Sequence, residues 1–252
     1  MVPRPPGRVR RCTRRAAPAT GCILGHPRPL PSVASGETGV DHHTITIDQN
    51  GLALTGDLNL PPAPAGLVLF AHGSGSSRLS TRNRAVARHL NNIGLGTVLF
   101  DLLTADEERI DARTAQLRFD IPLLARRLTG AVDWLSARPT LATLPLGLFG
   151  ASTGAAAALI TSGERPRRVA AVVSRDGRPD LAQPALERVR APTLLIVGGD
   201  DREVLALNRQ ALAALGAHGA LHIVPGATHL FEEPGALEQV ARLAGDWFLR
   251  HM

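Results

Sequence analysis

The stretch Leu146-Gly147-Leu148-Phe149-Gly150-Ala151-Ser152-Thr153-Gly154 decides how this chain is read. Leu146–Phe149 is a short apolar run, G-x-S-x-G follows it, and Ala155–Ala158 open an alanine-rich segment. Strand, sharp turn and helix in that order lift a serine hydroxyl above the end of a sheet strand. Small residues are needed on both sides because strand and helix pass close together there. The helix N-terminus adds positive potential where a negative oxygen would form. Alone, the pentapeptide is weak evidence, since a glycine-rich turn can carry an incidental serine. Its weight comes from what stands at the ends of the other strands.

Working outward, apolar runs recur at Leu67–Phe70, Thr97–Phe100, Val169–Val173, Thr193–Val197 and Leu221–Val224. Helical segments lie between them. Leu117, Ile121, Leu124, Leu128, Ala131 and Leu135 fall on one helix face, as do Val204, Leu207, Ala211 and Leu215, and Leu237, Val240, Ala244 and Trp247. Upstream, Thr44–Asp48 alternates, Asn50-Gly51 signals a tight turn, and Leu52–Leu60 completes a hairpin. Fully apolar strands alternating with amphipathic helices predict an α/β fold: a mostly parallel sheet of about eight strands with helices on both faces. Ligands of such sheets bind at the carboxyl ends of the strands.

Each strand end therefore matters. After Leu221–Val224 comes Pro225-Gly226-Ala227-Thr228-His229, which makes His229 the candidate base. The other histidines, including His42, His43, His89, His218, His222 and His251, read as peripheral. After Thr193–Val197 comes Gly198-Gly199-Asp200-Asp201, and Asp201 is the preferred acid to orient the imidazole. Asp180 ranks second, Asp176 is also within the range of some hydrolases, and either adjacent aspartate could instead cap the next helix. The chain order Ser152, Asp201, His229 differs from the orders on two other serine-protease folds. After Leu67–Phe70, Ala71-His72-Gly73-Ser74-Gly75-Ser76-Ser77 can turn backbone N–H groups toward Ser152. The N–H groups of Ser74 and Thr153 are the candidate oxyanion hole. A phosphate loop is excluded, because G-K-[ST] is missing and the chain contains no lysine. His72 is read as a brace for this loop and Asp101 as an anchor for its own. Arg78 and Arg175, with Arg82 and Asn83, are candidates for the mouth of the site. No metal or organic cofactor is implied.

Together these motifs resemble the α/β-hydrolase superfamily, most closely its dienelactone-hydrolase-like branch. His72-Gly73-Ser74-Gly75-Ser76-Ser77-Arg78 is also similar to hydrolase domains fused to phosphoribosyltransferases, although 252 residues leave no room for such a partner. The resemblance covers residues 41–252 and implies the fold, the triad roles and the lack of a cofactor. Dienelactone hydrolases proper use cysteine where this chain has Ser152, which favours a general esterase. Many relatives insert a helical cap where this chain has only Ser174–Pro192, so an open site is expected.

Residues 1–40 are of different character. They hold seven arginines, seven prolines and one acid, Glu37, so they carry the whole net charge of +6. The remaining residues balance at 21 of each sign, which gives no electrostatic reason for a nucleic-acid partner. This tail is expected to be disordered. Arg10-Arg11 and Arg14-Arg15 resemble a twin-arginine signal, but Cys22-Ile23-Leu24 is too short for its apolar core. A start near Val40 and an arm for acidic partners are further readings of the same stretch. Both cysteines, Cys12 and Cys22, lie in the tail, which fits a reducing, cytoplasmic setting. The expected ligand is a small-molecule ester, with no membrane or nucleic-acid partner and a homodimer left open. An acyltransferase using the same triad and a non-catalytic binding protein are the competing functions.

Overall fold

The computed structural model describes Met1 and residues 39–252; the expectations for the arginine-rich stretch lie outside the described residues. From Asp41 the chain forms β1 (Asp41–Gln49) and β2 (Leu52–Leu60), an antiparallel pair. Asn50 and Gly51 join them with φ of 57° and 90°, the left-handed pair that a two-residue hairpin needs. Six strands follow: β3 (Leu67–Ala71), β4 (Gly96–Phe100), β5 (Leu146–Ala151), β6 (Val169–Arg175), β7 (Thr193–Gly198) and β8 (Gly219–Val224). The helices are α1 (Thr81–Asn92), α2 (Ala105–Thr114), α3 (Ile121–Ser136), α4 (Pro139–Ala142), α5 (Thr153–Glu164), α6 (Arg202–Leu215) and α7 (Ala236–His251).

The eight strands lie in the order β1-β2-β4-β3-β5-β6-β7-β8. β2 is antiparallel to β4, and every pairing from β4 onward is parallel. This is the α/β-hydrolase architecture expected from the motifs.

The alternation along each strand explains why the runs are apolar throughout. Leu67, Leu69 and Ala71 of β3 join one core with α3 and α5, while Val68 and Phe70 join a second core with α1 and α7. A strand buried on both faces favours apolar side chains throughout, and polar ones such as Thr97, Ser174 and Thr193 are small and buried. Phe70 and Phe149 stack across β3 and β5 with ring centroids 4.8 Å apart. Burying a large side chain of this kind contributes about 1.5–3 kcal/mol.

One helix starts later than its periodicity suggests. Leu117 lies in a separate 3₁₀ turn, Leu117–Phe119, and α3 begins at Ile121. The Asp120 carboxylate accepts the Leu123 N–H at 2.9 Å, and Pro122, which has no N–H to satisfy, fits the first turn. Between β6 and β7 the chain makes only two 3₁₀ turns, Pro179–Ala182 and Ala185–Arg188, so this connection adds no helical cap.

Candidate active site

The carboxyl end of β5 runs directly into α5 through Ser152, whose φ of 50° and ψ of −119° lie in a region that costs a non-glycine residue roughly 1–3 kcal/mol. The flanking glycines are required sterically. A Cβ on Gly150 would collide with the backbone of Ala155, and one on Gly154 with the carbonyl oxygens of Ala71 and His72. The strained turn is held by the Ser152 N–H donating to Arg175 O at 3.1 Å and by the Arg178 N–H donating to Ser152 O at 3.2 Å.

Gly73 brings the β3 loop against this turn: a Cβ there would meet Ala151 O and Ser152 Cβ, both at 3.2 Å. His72 fixes the loop. Its Nε2 accepts the Leu102 N–H at 3.0 Å, so Nδ1 carries the proton and donates to Gly73 O, also at 3.0 Å. Burial lowers the His72 pKa and keeps it neutral in this bracing role. Among the described residues, neither the Ser74 N–H nor the Thr153 N–H has a hydrogen-bond acceptor. Thr153 opens α5, where a helix has N–H groups without internal partners.

His229 lies beyond β8, and its loop is zipped to the one after β7. Gly199 N–H donates to Val224 O at 2.8 Å, and Asp200 N–H to Ala227 O at 3.0 Å. Asp200 is exposed, whereas Asp201 turns inward. His229 Nδ1 is 2.8 Å from Asp201 Oδ2, with hydrogen-bond geometry. Asp201 also caps α6 by accepting the Val204 N–H at 3.3 Å.

A second carboxylate reaches the same nitrogen. Asp176 Oδ2 lies 2.9 Å from His229 Nδ1, off the line of the N–H, so it is left without a hydrogen bond. Asp176 and Asp201 raise the His229 pKa, Asp176 the more strongly, against the effect of partial burial. Burial raises the Asp176 pKa, and its contacts with His229 and the Gly198 N–H only partly offset this. Asp176, Asp201 and His229 are the one group of three ligand-type side chains among the described residues close enough to hold an ion. Their N–O separations, however, are those of hydrogen bonds.

The sheet sets the serine and the two acids of the histidine at neighbouring strand ends. Ala151 pairs with Arg175 and Arg175 with Ile196, so Ser152, Asp176 and the start of the Asp201 loop end neighbouring strands. By contacting Asp176, His229 reaches back across β7 to the strand beside Ser152.

Three residues sit differently from the sequence expectation. Asp180, the second choice of acid, is held in a bidentate pair with Arg178 at 2.9 and 2.8 Å, and the carboxylates at His229 are those of Asp201 and Asp176. Arg78 is occupied by Asp101, which takes both its backbone N–H and its Nη1, and Asp57 lies 3.5 Å from its Nε. It ties the loop after β3 to the end of β4. Arg175 is nearly buried, at 6% exposure, with no carboxylate bonded to it; burial, helped by nearby Arg82, pushes its pKa down to about 10. Asp176 was the residue undervalued by the sequence reading. Its signal was an acid directly following an apolar strand, at Val172-Val173-Ser174-Arg175-Asp176.

Residues 67–248 match the model of the dienelactone hydrolase family, a span that takes in every residue of this site. The chain belongs to the dienelactone hydrolase family. It is 55% identical to a dienelactone hydrolase from Anabaena variabilis whose crystal structure superposes with a TM-score of 0.83, covering 84% of this chain and 99% of that one. Est1E from Butyrivibrio proteoclasticus shares the fold at 16% identity and a TM-score of 0.70, over 82% of this chain and 98% of that one. A putative phosphoribosyl transferase of Mycobacterium tuberculosis is 57% identical over 199 residues, which are 79% of this chain. The match spans 44% of that longer relative.

Proposed function

We propose that this family member is a serine hydrolase that cleaves small esters or thioesters through an acyl-enzyme on Ser152. The observation that carries the reading is the strained Ser152 turn at the end of β5, beside the end of β6, where Asp176 lies against the imidazole that Asp201 grips. His229 Nε2 takes the Ser152 proton while Oγ forms a bond to the substrate carbonyl carbon. The Ser74 and Thr153 N–H groups receive the developing oxyanion, a contribution of roughly 10²–10³ in rate per donor. His229 then returns the proton to the leaving oxygen or sulfur, and that bond to carbon breaks. Water repeats the sequence to release the acid.

Beyond Gly73, which packs against Ser152, a cavity of about 190 Å³ is lined by Ser74 and Leu103 and by the charged Asp101, Glu108, Asp111 and Arg118. It is smaller than the roughly 300–1,000 Å³ of sites for drug-sized ligands, so a group that enters it has to be small. The uncapped site admits water, which favours hydrolysis over transfer to another acceptor.

The test is fluorophosphonate labelling and turnover of a short-chain ester panel by wild type and Ser152→Ala. Labelling and turnover should both vanish in the variant. Labelling that persists there would remove Ser152 from the mechanism.

A further inference from the structure

We propose that Asp176 is a second positioning acid for His229, so that the imidazole is held by two carboxylates from two different strands. The inference rests on the reading of His229 as general base and concerns how that base is oriented.

Asp176 is 1% exposed, and its two carboxylate oxygens have separate surroundings. Oδ1 accepts the Gly198 N–H at 3.0 Å and so ties the end of β6 to β7. That tie needs one acceptor, which an asparagine could supply. Oδ2 is buried without a hydrogen bond and lies 2.9 Å from His229 Nδ1. A buried carboxylate oxygen left unpaired is costly, so its aim at a nitrogen that can carry a proton calls for an account. Backbone geometry fixes that aim. Asp176 adopts a φ of 43°, and its N–H donates to Ile196 O at 2.7 Å.

Nδ1 has one proton, so at any moment it bonds one carboxylate, Asp201 in this structure. A small rotation of the ring turns the same N–H toward Asp176. When Nε2 takes the serine proton, the resulting imidazolium faces both carboxylates; the Nδ1 proton stays in place and neither acid needs to be protonated. Two close carboxylates repel, and positive charge nearby offsets that repulsion. Arg175 acts on Asp176, and Arg178, itself paired with Asp180, acts with Asp201.

Asp176→Asn, Asp201→Asn and the double variant test the proposal. Asparagine keeps an acceptor for the Gly198 N–H and for the α6 cap, so each variant retains those backbone ties. Losing a sole triad acid costs ~10⁴ in kcat, so shared holding predicts no more than ~10² for either single change and ~10⁴ for both. A full ~10⁴ loss in Asp201→Asn with no loss in Asp176→Asn would overturn it.

A second readout needs no turnover. In a Ser152→Ala background, the His229 ring is titrated by nitrogen–proton NMR with and without each Asn substitution. Both substitutions should move the His229 midpoint to lower pH. If Asp176→Asn leaves it unmoved, Asp176 only joins β6 to β7 and the proposal fails. Because the NMR result stands even if no ester is cleaved, failure of the serine-hydrolase reading and failure of this one can be told apart.

Discussion

The two sides of the site treat hydrogen bonding in opposite ways. On the β6–β8 side, Asp176, Asp201 and His229 face one another, and the loops behind them are zipped by backbone bonds. On the β3–β5 side, Ser152 is strained, and the Ser74 and Thr153 N–H groups have no acceptor among the described residues. One side holds its own partners, and the other keeps donor capacity free for something that arrives. Preorganised donors of this kind stabilise charge without reorganisation at the moment of reaction.

Substitutions can break or sharpen this contrast. On the open side, Ser152→Ala should lower kcat on a short-chain ester by on the order of 10⁶, the scale for losing a triad serine, with little change in thermal stability. Ser74→Pro removes one free N–H and should cost ~10²–10³ in kcat with KM nearly constant. Circular dichroism would check that the loop change leaves the fold intact. A kcat that survives Ser74→Pro would move the donor elsewhere in the loop. Gly154→Ala forces a methyl onto the carbonyls of Ala71 and His72 and should destabilise the protein by roughly 1–3 kcal/mol in denaturant unfolding.

The closed side answers to pH. The two carboxylates raise the His229 pKa above its ordinary 6.5, and neutral imidazole is the working form in the proposed mechanism. kcat/KM should therefore climb with pH through a midpoint above 6.5, measured from full pH–rate profiles. The same shift bears on folding. The folded chain holds the imidazolium better than the unfolded chain does, so this contribution is present below 6.5 and fades as pH rises through the folded pKa. The smallest effect belongs to Arg78→Ala, which loses the Asp101 pair. It should cost about 1 kcal/mol of stability and leave KM for a neutral ester unchanged.

What the sequence revealed follows a physical line. The Ser152 turn and the Asp201–His229 pair were legible because each residue stands just past an apolar run, and strand ends are where a parallel sheet gathers its loops. The alternating cores explain why those runs were so plain. The partners of Asp180 and Arg78 could not be read in the same way, because they are decided in three dimensions. Arg178 captures Asp180 within one 3₁₀ turn, and Asp101, at the end of a neighbouring strand, captures Arg78. The approach of Asp176 to His229 depends on the register of β6 against β7, and a single residue of slip would have sent it to the other face.

The close contact at Gly150 and Gly154 has a consequence for how such a protein can change its substrate preference. Main chain rests on main chain there, with no side chain between to trim or enlarge, so the Ser152 hydroxyl sits on a joint without adjustable parts. Variation in selectivity has to come from elsewhere in the lining, such as Leu103 after β4, Ala112 on α2 and Leu124 on α3, where a methyl more or less reshapes the cavity and leaves the joint untouched.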